Sequence, residues 1–142
     1  MEIEQMAKLK IVLGDKSGKT KQIELDEQNS KSLIGKKILD TFKGELIDMP
    51  GYEFQITGGS DSSGFPMRRD VAGDRKKKIL IVNGVGIAKN RPGERRRKMV
   101  AGNTIGDETA QVNVKVVKAG KTPLFEEPKE ESTVEADEKK DE

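Results

Sequence analysis

Short segments in which apolar and polar residues alternate are the feature that most limits how this chain can fold. Residues 111–117 read Gln-Val-Asn-Val-Lys-Val-Val, an alternation that puts valines on one face of a β-strand. Residues 52–57 alternate in the same way, and residues 7–13 and 19–25 flank a turn at residues 14–18, which predicts an opening hairpin. Short strands separated by glycine turns predict a mainly β fold, a small β-barrel or barrel-like sheet with little helix.

Other segments do not alternate strictly, and their secondary structure is predicted from apolar runs and turn residues. Residues 78–82 are an apolar run that predicts a buried strand, and Asn83-Gly84 predicts a hairpin turn into residues 85–88. Residues 99–101 predict a further strand. Residues 26–32 are polar and turn-like. The segment that follows them, up to Ile47, fits either a helical face or a short strand and a helical turn, because glycines interrupt its pattern.

The chain divides into three predicted segments. Residues 1–6 are largely polar and end at a second methionine, so we expect a leader outside the fold. Residues 7–121 form the expected folded domain. Residues 122–142 hold two prolines and few apolar side chains, so they cannot bury enough surface to offset the entropy of ordering. This last segment is predicted to be a disordered acidic tail.

Composition excludes several classes of protein. Only 32% of the residues are hydrophobic and 37% are charged, so the core must be small. Cysteine and histidine are absent, which excludes disulfides and thiolate metal sites and removes the commonest general base. Nothing at the start resembles a secretory signal and no apolar run approaches membrane-spanning length, so we expect a cytoplasmic protein without a membrane partner. One Tyr and four Phe are too few for a surface of stacked aromatics.

Charge is distributed unevenly, although the net charge is only +2. Residues 68–98 hold twelve Lys or Arg and three Asp or Glu, a net charge of +9, whereas residues 126–142 have a net charge of −6. Three basic clusters, at residues 68–69, 75–78 and 95–98, lie beside predicted strand ends. Their arginines offer paired donors that match phosphate oxygens, and counterion release would drive their binding to RNA. The alternatives are a solvated charged face and, more weakly, an anionic membrane surface. The candidate RNA-binding residues are Arg68, Arg69, Arg75, Lys76, Lys77, Lys78, Arg91, Arg95, Arg96, Arg97 and Lys98.

A glycine-rich segment before these clusters is the second candidate site. Its glycines allow backbone conformations and close approaches that other residues resist, and its aspartate can bridge backbone amides. It lacks the Lys-Ser or Lys-Thr pair that ends a P-loop and has the wrong glycine spacing for a dinucleotide site. We expect either a purely structural loop or a structural loop that RNA approaches, without a nucleotide. The residues assigned to it are Gly58, Gly59, Asp61, Gly64, Pro66 and Met67.

Catalysis by carboxylates is a third possibility. Asp61, Asp70 and Asp74 could hold a divalent cation, as spaced aspartates do in nucleases. Asp70 and Asp74 stand among arginines and lysines, however, which is more typical of local charge balance. We therefore expect no enzyme activity, no metal site, no cofactor and no small-molecule substrate.

Together, the glycine-rich segment and the basic clusters resemble the ribosomal protein S6e family of the small ribosomal subunit, known from archaea and eukaryotes. The family signature is Gly-Gly, any residue, Asp, two residues, Gly, any residue, Pro-Met, and residues 58–67 match it in full. Residues 91–98, Arg-Pro-Gly-Glu-Arg-Arg-Arg-Lys, look like a second family segment, followed by the strand at 111–117. The resemblance extends over about residues 7–121. The short acidic end departs from the long basic helix of eukaryotic members, which makes the chain similar to an archaeal member.

The resemblance implies a β-barrel domain embedded in small-subunit ribosomal RNA, with other ribosomal proteins as neighbours and no catalytic residues. The leading hypothesis is a structural constituent of the small ribosomal subunit whose cations position RNA rather than read its sequence. The alternative is a free RNA-binding or translation-factor-like β-barrel that visits the ribosome transiently.

Overall fold

The computed structural model describes residues 8–88 and 91–125 of the chain. The predicted leader and residues 126–142 of the predicted tail lie outside the described residues. The described part is mainly β, as predicted. Its elements are β1 (Lys10–Gly14), β2 (Thr20–Glu24), α1 (Glu27–Leu33), β3 (Thr41–Lys43), a 3-10 helix (Gly44–Ile47), β4 (Glu53–Asp61), β5 (Lys77–Ile81), β6 (Arg96–Val100) and β7 (Thr109–Lys118).

The first two strands form the predicted hairpin. β1 and β2 are antiparallel, with Ile11 opposite Ile23. In the turn between them the Asp15 amide donates to the Lys19 carbonyl, and Gly18 has a φ of +87°. Glycine adopts that left-handed conformation without steric penalty, so the turn and the flanking alternation agree.

A five-stranded sheet with the order β2-β1-β7-β4-β3 makes up most of the fold. β7 is its central strand, parallel to β1 and antiparallel to β4. The strict alternation of β7 puts Val112, Val114 and Val116 in the buried core, as predicted. Gln111 and Asn113 point to the opposite face of the sheet, where they are half-buried.

One hydrophobic core lies on the valine face of this sheet. Phe54 is fully buried there and stacks with Tyr52, with ring centroids 5.7 Å apart. The Tyr52 hydroxyl donates a hydrogen bond to the Thr122 carbonyl, and Leu124 packs against the same core. Residues 122–125, assigned by sequence to the start of the tail, therefore contact the folded body.

The helix and the 3-10 turn resolve the ambiguous region. Residues 26–32 were expected to be turn-like, but most of them belong to α1, whose Leu33 is fully buried in the core. The prediction was wrong because a helix this short is anchored by one apolar residue and shows no periodicity. The alternative of a short strand followed by a helical turn is confirmed by β3 and the 3-10 helix.

β5 and β6 form a separate antiparallel pair, which we call the basic ribbon. Ile81 and Val100 are buried with Val71 in a second, smaller core, against which Ile79 and Ile87 pack. The strand at 78–82 was expected to be buried, yet most of β5 is exposed because the ribbon has only one covered face.

The predicted hairpin at Asn83-Gly84 is wrong. β5 pairs with β6, with Ile81 opposite Arg96, and residues 85–88 are not a strand. The segment makes tertiary contacts instead, since the Arg68 guanidinium donates to the Val85 carbonyl at 2.8 Å and Ile87 packs against the second core.

Neither sheet closes on itself within the described ranges. β2 and β3 are the edges of the larger sheet, and the ribbon has two strands only. The mainly β prediction is confirmed, whereas closure into a barrel is not. Among the same residues, no helix combines the length and the apolar character needed to cross a membrane.

Candidate RNA-binding surface

The two neighbouring glycines of the signature occupy different environments in β4. A Cβ on Gly59 would collide with the Gln111 carbonyl oxygen of β7 and lie 3.0 Å from the Met67 sulfur. Gly58 faces Asn113 on the other side of the sheet, beside a register shift, and a Cβ there would meet open space. Neither glycine has a positive φ. The expected close approach is confirmed at Gly59, while no contact or conformation within the described residues requires glycine at position 58.

The second half of the signature is a tight turn that follows β4. The Asp61 amide donates to the Phe65 carbonyl at 2.9 Å, and the Gly64 amide donates to the Asp61 carbonyl at 2.8 Å. Gly64 has a φ of +85°, which a glycine adopts readily. The Asp61 carboxylate, only 5% exposed, accepts hydrogen bonds from the amide and the hydroxyl of Ser62. Among the described residues, the carboxylate thus accepts one backbone amide, that of Ser62, and does not bridge several amides as predicted.

Pro66 and Met67 join the ribbon to the large sheet. Pro66 forms a β-bridge with Ser60 of β4, and the Met67 amide donates to the Gly59 carbonyl at 3.0 Å. On the other side the Ala101 amide, just after β6, donates to the Pro66 carbonyl at 2.9 Å. Met67 is buried in the main core, so the apolar end of the signature fixes the base of the ribbon.

Lys76, one of the candidate RNA-binding residues, is held by carboxylates instead. Its ammonium lies 3.0 Å from Asp61 Oδ2 and 3.4 Å from Glu108 Oε2, and it donates to the Ser63 hydroxyl at 3.0 Å. Apart from this ammonium, Oδ2 has no partner among the described residues. Burial raises the pKa of Asp61, but the Lys76 ammonium and the Ser62 donors lower it more, so the net shift is downward. The Asp61 hydrogen bond and charge correspondingly raise the pKa of Lys76.

Arg68 is also committed to contacts within the fold. Its guanidinium forms two hydrogen bonds with the Asp70 carboxylate, 2.8 Å from Nε to Oδ1 and 2.7 Å from Nη2 to Oδ2. This paired geometry lowers the pKa of Asp70, and it confirms the local charge balance expected there. Together with its bond to the Val85 carbonyl, Arg68 ties the segment at residues 68–70 to the segment that follows β5 and does not present a free cation.

Two further cations of the clusters are partly engaged. Arg96 in β6 pairs with Glu94, with 2.6 Å between Nη2 and Oε1, and this contact lowers the pKa of Glu94. The Lys77 ammonium donates to the Ala72 carbonyl at 3.3 Å. Both side chains remain largely exposed, so these contacts compete with water and restrict the cations only in part.

The side chains of seven of the eleven candidate cations form no ion pair and no hydrogen bond with any described residue. All seven are exposed. Lys78, Arg97 and Lys98 lie in the two strands of the basic ribbon, and the others lie in the segments that lead into it or follow it. The seven residues are Arg69, Arg75, Lys78, Arg91, Arg95, Arg97 and Lys98.

The register of the ribbon assigns its cations to two faces. Residues directly opposite each other in an antiparallel pair share a face, so Ile79 and Lys98 lie on the side of the second core. Lys78 opposite Met99 and Leu80 opposite Arg97 lie on the other side. We call these four residues the outer face of the ribbon. Leu80 and Met99 could not be recognised as surface residues from the sequence, because an apolar residue in a strand is expected to cover a core.

Within residues 8–88 and 91–125, no group of three or more acidic side chains is arranged to hold a metal ion. Asp61 and Asp70 each face a cation instead. The site therefore consists of a framework, built from the signature turn and its ion pairs, and of exposed cations on and around the ribbon.

A sequence model of the ribosomal protein S6e family matches residues 8–127, nearly the whole chain. The chain belongs to this family. The predicted resemblance is thereby confirmed. The framework is built from the signature residues of this S6e-family chain, and the family match also covers the whole basic ribbon.

Several archaeal members of the S6e family are close in sequence and length. The small ribosomal subunit protein eS6 of Methanothermobacter thermautotrophicus is 47% identical over 117 residues, covering 82% of this chain and 92% of that protein. Its counterpart in Methanocaldococcus jannaschii is 48% identical over 122 residues, covering 85% and 91%. The protein of the same name in Haloquadratum walsbyi is 43% identical over 119 residues, covering 84% and 73%.

Proposed function

We propose that this chain is a cytoplasmic, structural constituent of the small ribosomal subunit that binds ribosomal RNA through the exposed cations of the basic ribbon and its flanking segments. The observation that carries this proposal is the set of seven exposed cations without an ion-pair partner in the described residues. Cations that are not neutralised within the fold are available to phosphate oxygens. The names of the archaeal relatives support the assignment to the small subunit.

The proposed role is to neutralise phosphates where RNA segments crowd together. Arg and Lys contacts to phosphates fix position and orientation but carry no sequence information by themselves. Other ribosomal proteins are the expected neighbours. Membership in a family of ribosomal proteins also supports the expectation that the chain is not an enzyme.

The signature segment would act as the frame that presents these cations. The Asp61–Lys76 ion pair and the Pro66 and Met67 hydrogen bonds fix the ribbon relative to the large sheet. Gly58 leaves the backbone of β4 uncovered on the sheet face opposite the core, where an RNA backbone could approach closely. A barrel-like arrangement is part of this proposal, supported by the bridges that continue β4 through Pro66 towards the ribbon.

Sedimentation after a high-salt wash tests the assignment to the subunit. A structural constituent remains with the small subunits through the wash, because many phosphate contacts must break together. A chain that is released while neighbouring ribosomal proteins remain would support the transient RNA-binding or factor-like alternative. When the retained chain is crosslinked to RNA and the crosslinked peptides are sequenced, they should contain Lys78, Arg95 or Arg97.

A further inference from the structure

The outer face of the basic ribbon combines exposed aliphatic side chains with cations. Leu80 is 55% exposed and Met99 is 37% exposed, although both are large apolar residues in strands. Lys78 stands opposite Met99, and Arg97 stands opposite Leu80. Each apolar side chain therefore has a cation directly across the strand pair. Neither strand contains an acidic residue.

Neither hydrophobic core of the described residues is built on this face. The second core is built on the other side of the ribbon, from Ile81, Val100 and Val71. Among the described residues, nothing hydrophobic buries Leu80 or Met99. Apolar residues exposed together within a short strand pair are more typical of an interaction surface than a single exposed leucine would be.

We propose that the outer face of the ribbon is an insertion surface for irregular RNA, meaning an internal loop, bulge or junction with unstacked bases. This inference rests on the proposed RNA-binding function and names the class of RNA. Lys78 and Arg97 contact phosphates, while Leu80 and Met99 pack against bases that are not covered by neighbours. Leucine and methionine are among the side chains that proteins wedge between bases.

Two features favour irregular RNA over a regular duplex or a protein partner. In an A-form duplex the bases are stacked and only their edges and the 2′-hydroxyls are accessible, in the shallow minor groove, so an aliphatic side chain can pack against base faces only where bases are splayed out. The outer face is positively charged, because a cation lies beside each aliphatic residue and neither strand contains an acidic residue. This charge complements a polyanion such as RNA.

Binding of the full chain to two RNAs tests the proposal. One RNA is a regular duplex, and the other is the same duplex with an internal loop. Compared with the unmodified chain, the double variant Leu80→Ser/Met99→Ser should bind the looped RNA about tenfold more weakly and the duplex equally well. The salt dependence of binding to each RNA should stay the same as that of the unmodified chain. Val117→Ser is the matched control, because Val117 is a comparably exposed apolar strand residue on the large sheet, 48% exposed. It should leave both affinities unchanged.

The possible results separate this inference from the proposed function. Arg97→Ala should weaken binding to both RNAs and reduce the salt dependence. If Arg97→Ala does so while the double variant binds both RNAs like the unmodified chain, the insertion surface is wrong and the RNA-binding function stands. If neither variant changes binding and salt has no effect, the RNA-binding function fails as well.

A protein partner would give a third, distinct result. The double variant would then bind both RNAs normally but would be released from assembled subunits during a high-salt wash, and the insertion surface would be overturned. Thermal melting of each variant checks folding. If the serine variant melts early, Leu80→Thr/Met99→Thr keeps a strand-forming residue at both positions and is measured in its place.

Discussion

The Lys76 ammonium lies 3.0 Å from the Asp61 carboxylate, where the turn after β4 meets the segment that leads into β5. From the sequence, Lys76 was expected to bind RNA and Asp61 to belong to a structural loop. Their pairing shows that part of the basic region belongs to the framework. The same contact fixes the ribbon that carries the exposed cations, so stability and RNA binding should be separable by mutation.

The first prediction concerns the pH dependence of this pair. The pKa of Asp61 is lower in the folded chain than in the unfolded chain, so its stabilising effect is complete above the unfolded value, about 4, and is lost as pH falls through the folded value. Asp61→Asn should lower the free energy of unfolding by about 1 kcal/mol near neutral pH. Urea unfolding at a series of pH values from about 2.5 to about 7 measures this difference.

The difference between the unmodified chain and Asp61→Asn should shrink as the pH falls below about 4. Asp74→Asn is the control, since Asp74 is an exposed aspartate of the same region, and it should leave the unfolding curve nearly unchanged at every pH. A difference that stays constant down to the lowest pH would contradict the ion-pair explanation and would point to the packing of the amide.

The second prediction separates the two glycines of the signature. Gly59→Val should destabilise the chain by about 2–3 kcal/mol, because the new side chain would collide with the β7 backbone at Gln111. Gly58→Val should stay within about 0.5 kcal/mol of the unmodified chain or be more stable, because its side chain would enter open space. Thermal or urea unfolding of the two isolated variants makes the comparison.

The same pair of variants also tests the proposed approach of RNA to β4. If Gly58→Val folds normally but enters small subunits poorly, the uncovered backbone at Gly58 serves a partner. If both variants unfold with equal ease, the difference between the surroundings of the two glycines does not govern stability.

The third prediction separates free cations from paired ones by salt dependence. Arg95→Ala/Arg97→Ala should reduce the slope of log affinity against log salt by about 0.7 to 0.9 for each phosphate that is no longer neutralised. Arg96→Ala should reduce it less, because Glu94 already neutralises Arg96 at 2.6 Å. Filter binding to a small-subunit RNA fragment across a salt series gives the slopes. If the reduction in slope per substituted arginine is the same for Arg96→Ala as for the double variant, the Glu94 pair opens on binding. Slopes that stay unchanged in every variant would assign these arginines to a solvated face.

The parts of the fold that were predicted correctly depend on local sequence. β1, β2, β4 and β7 were recognised because each alternates along its own length, and the turn between β1 and β2 has its glycine where a left-handed residue is needed. The pairing of β1 with β7 could not be predicted, since parallel strands from the two ends of the domain share no local signal. The pairing of β5 with β6 was missed for a related reason, because Asn83-Gly84 gave a stronger local signal for a hairpin that does not form.

The candidate site shows the same limit. Arg68 with Asp70 and Arg96 with Glu94 are two residues apart, so their pairing could have been predicted from their proximity in the sequence. The partners of Lys76 are distant in sequence, and no pattern in its cluster distinguishes it from Lys78. Cation clusters in a sequence therefore indicate a candidate binding region but do not identify which cations are free.

The last prediction concerns residues 126–142, which carry a net charge of −6. Deleting them raises the net charge of the chain from +2 to +8. The deletion should leave the melting temperature nearly unchanged, whereas a deletion that begins at residue 122 should lower it by several degrees, because it also removes the Thr122 carbonyl bonded to Tyr52 and the packing of Leu124. At low salt the shorter deletion should bind an unrelated RNA several-fold more tightly, since like charges near the RNA are removed, and the gain should vanish as salt screens them. Such a result would make the acidic segment an electrostatic shield against off-target RNA before assembly. Equal affinities of the deleted and full-length chains at low salt would leave an inert extension as the explanation.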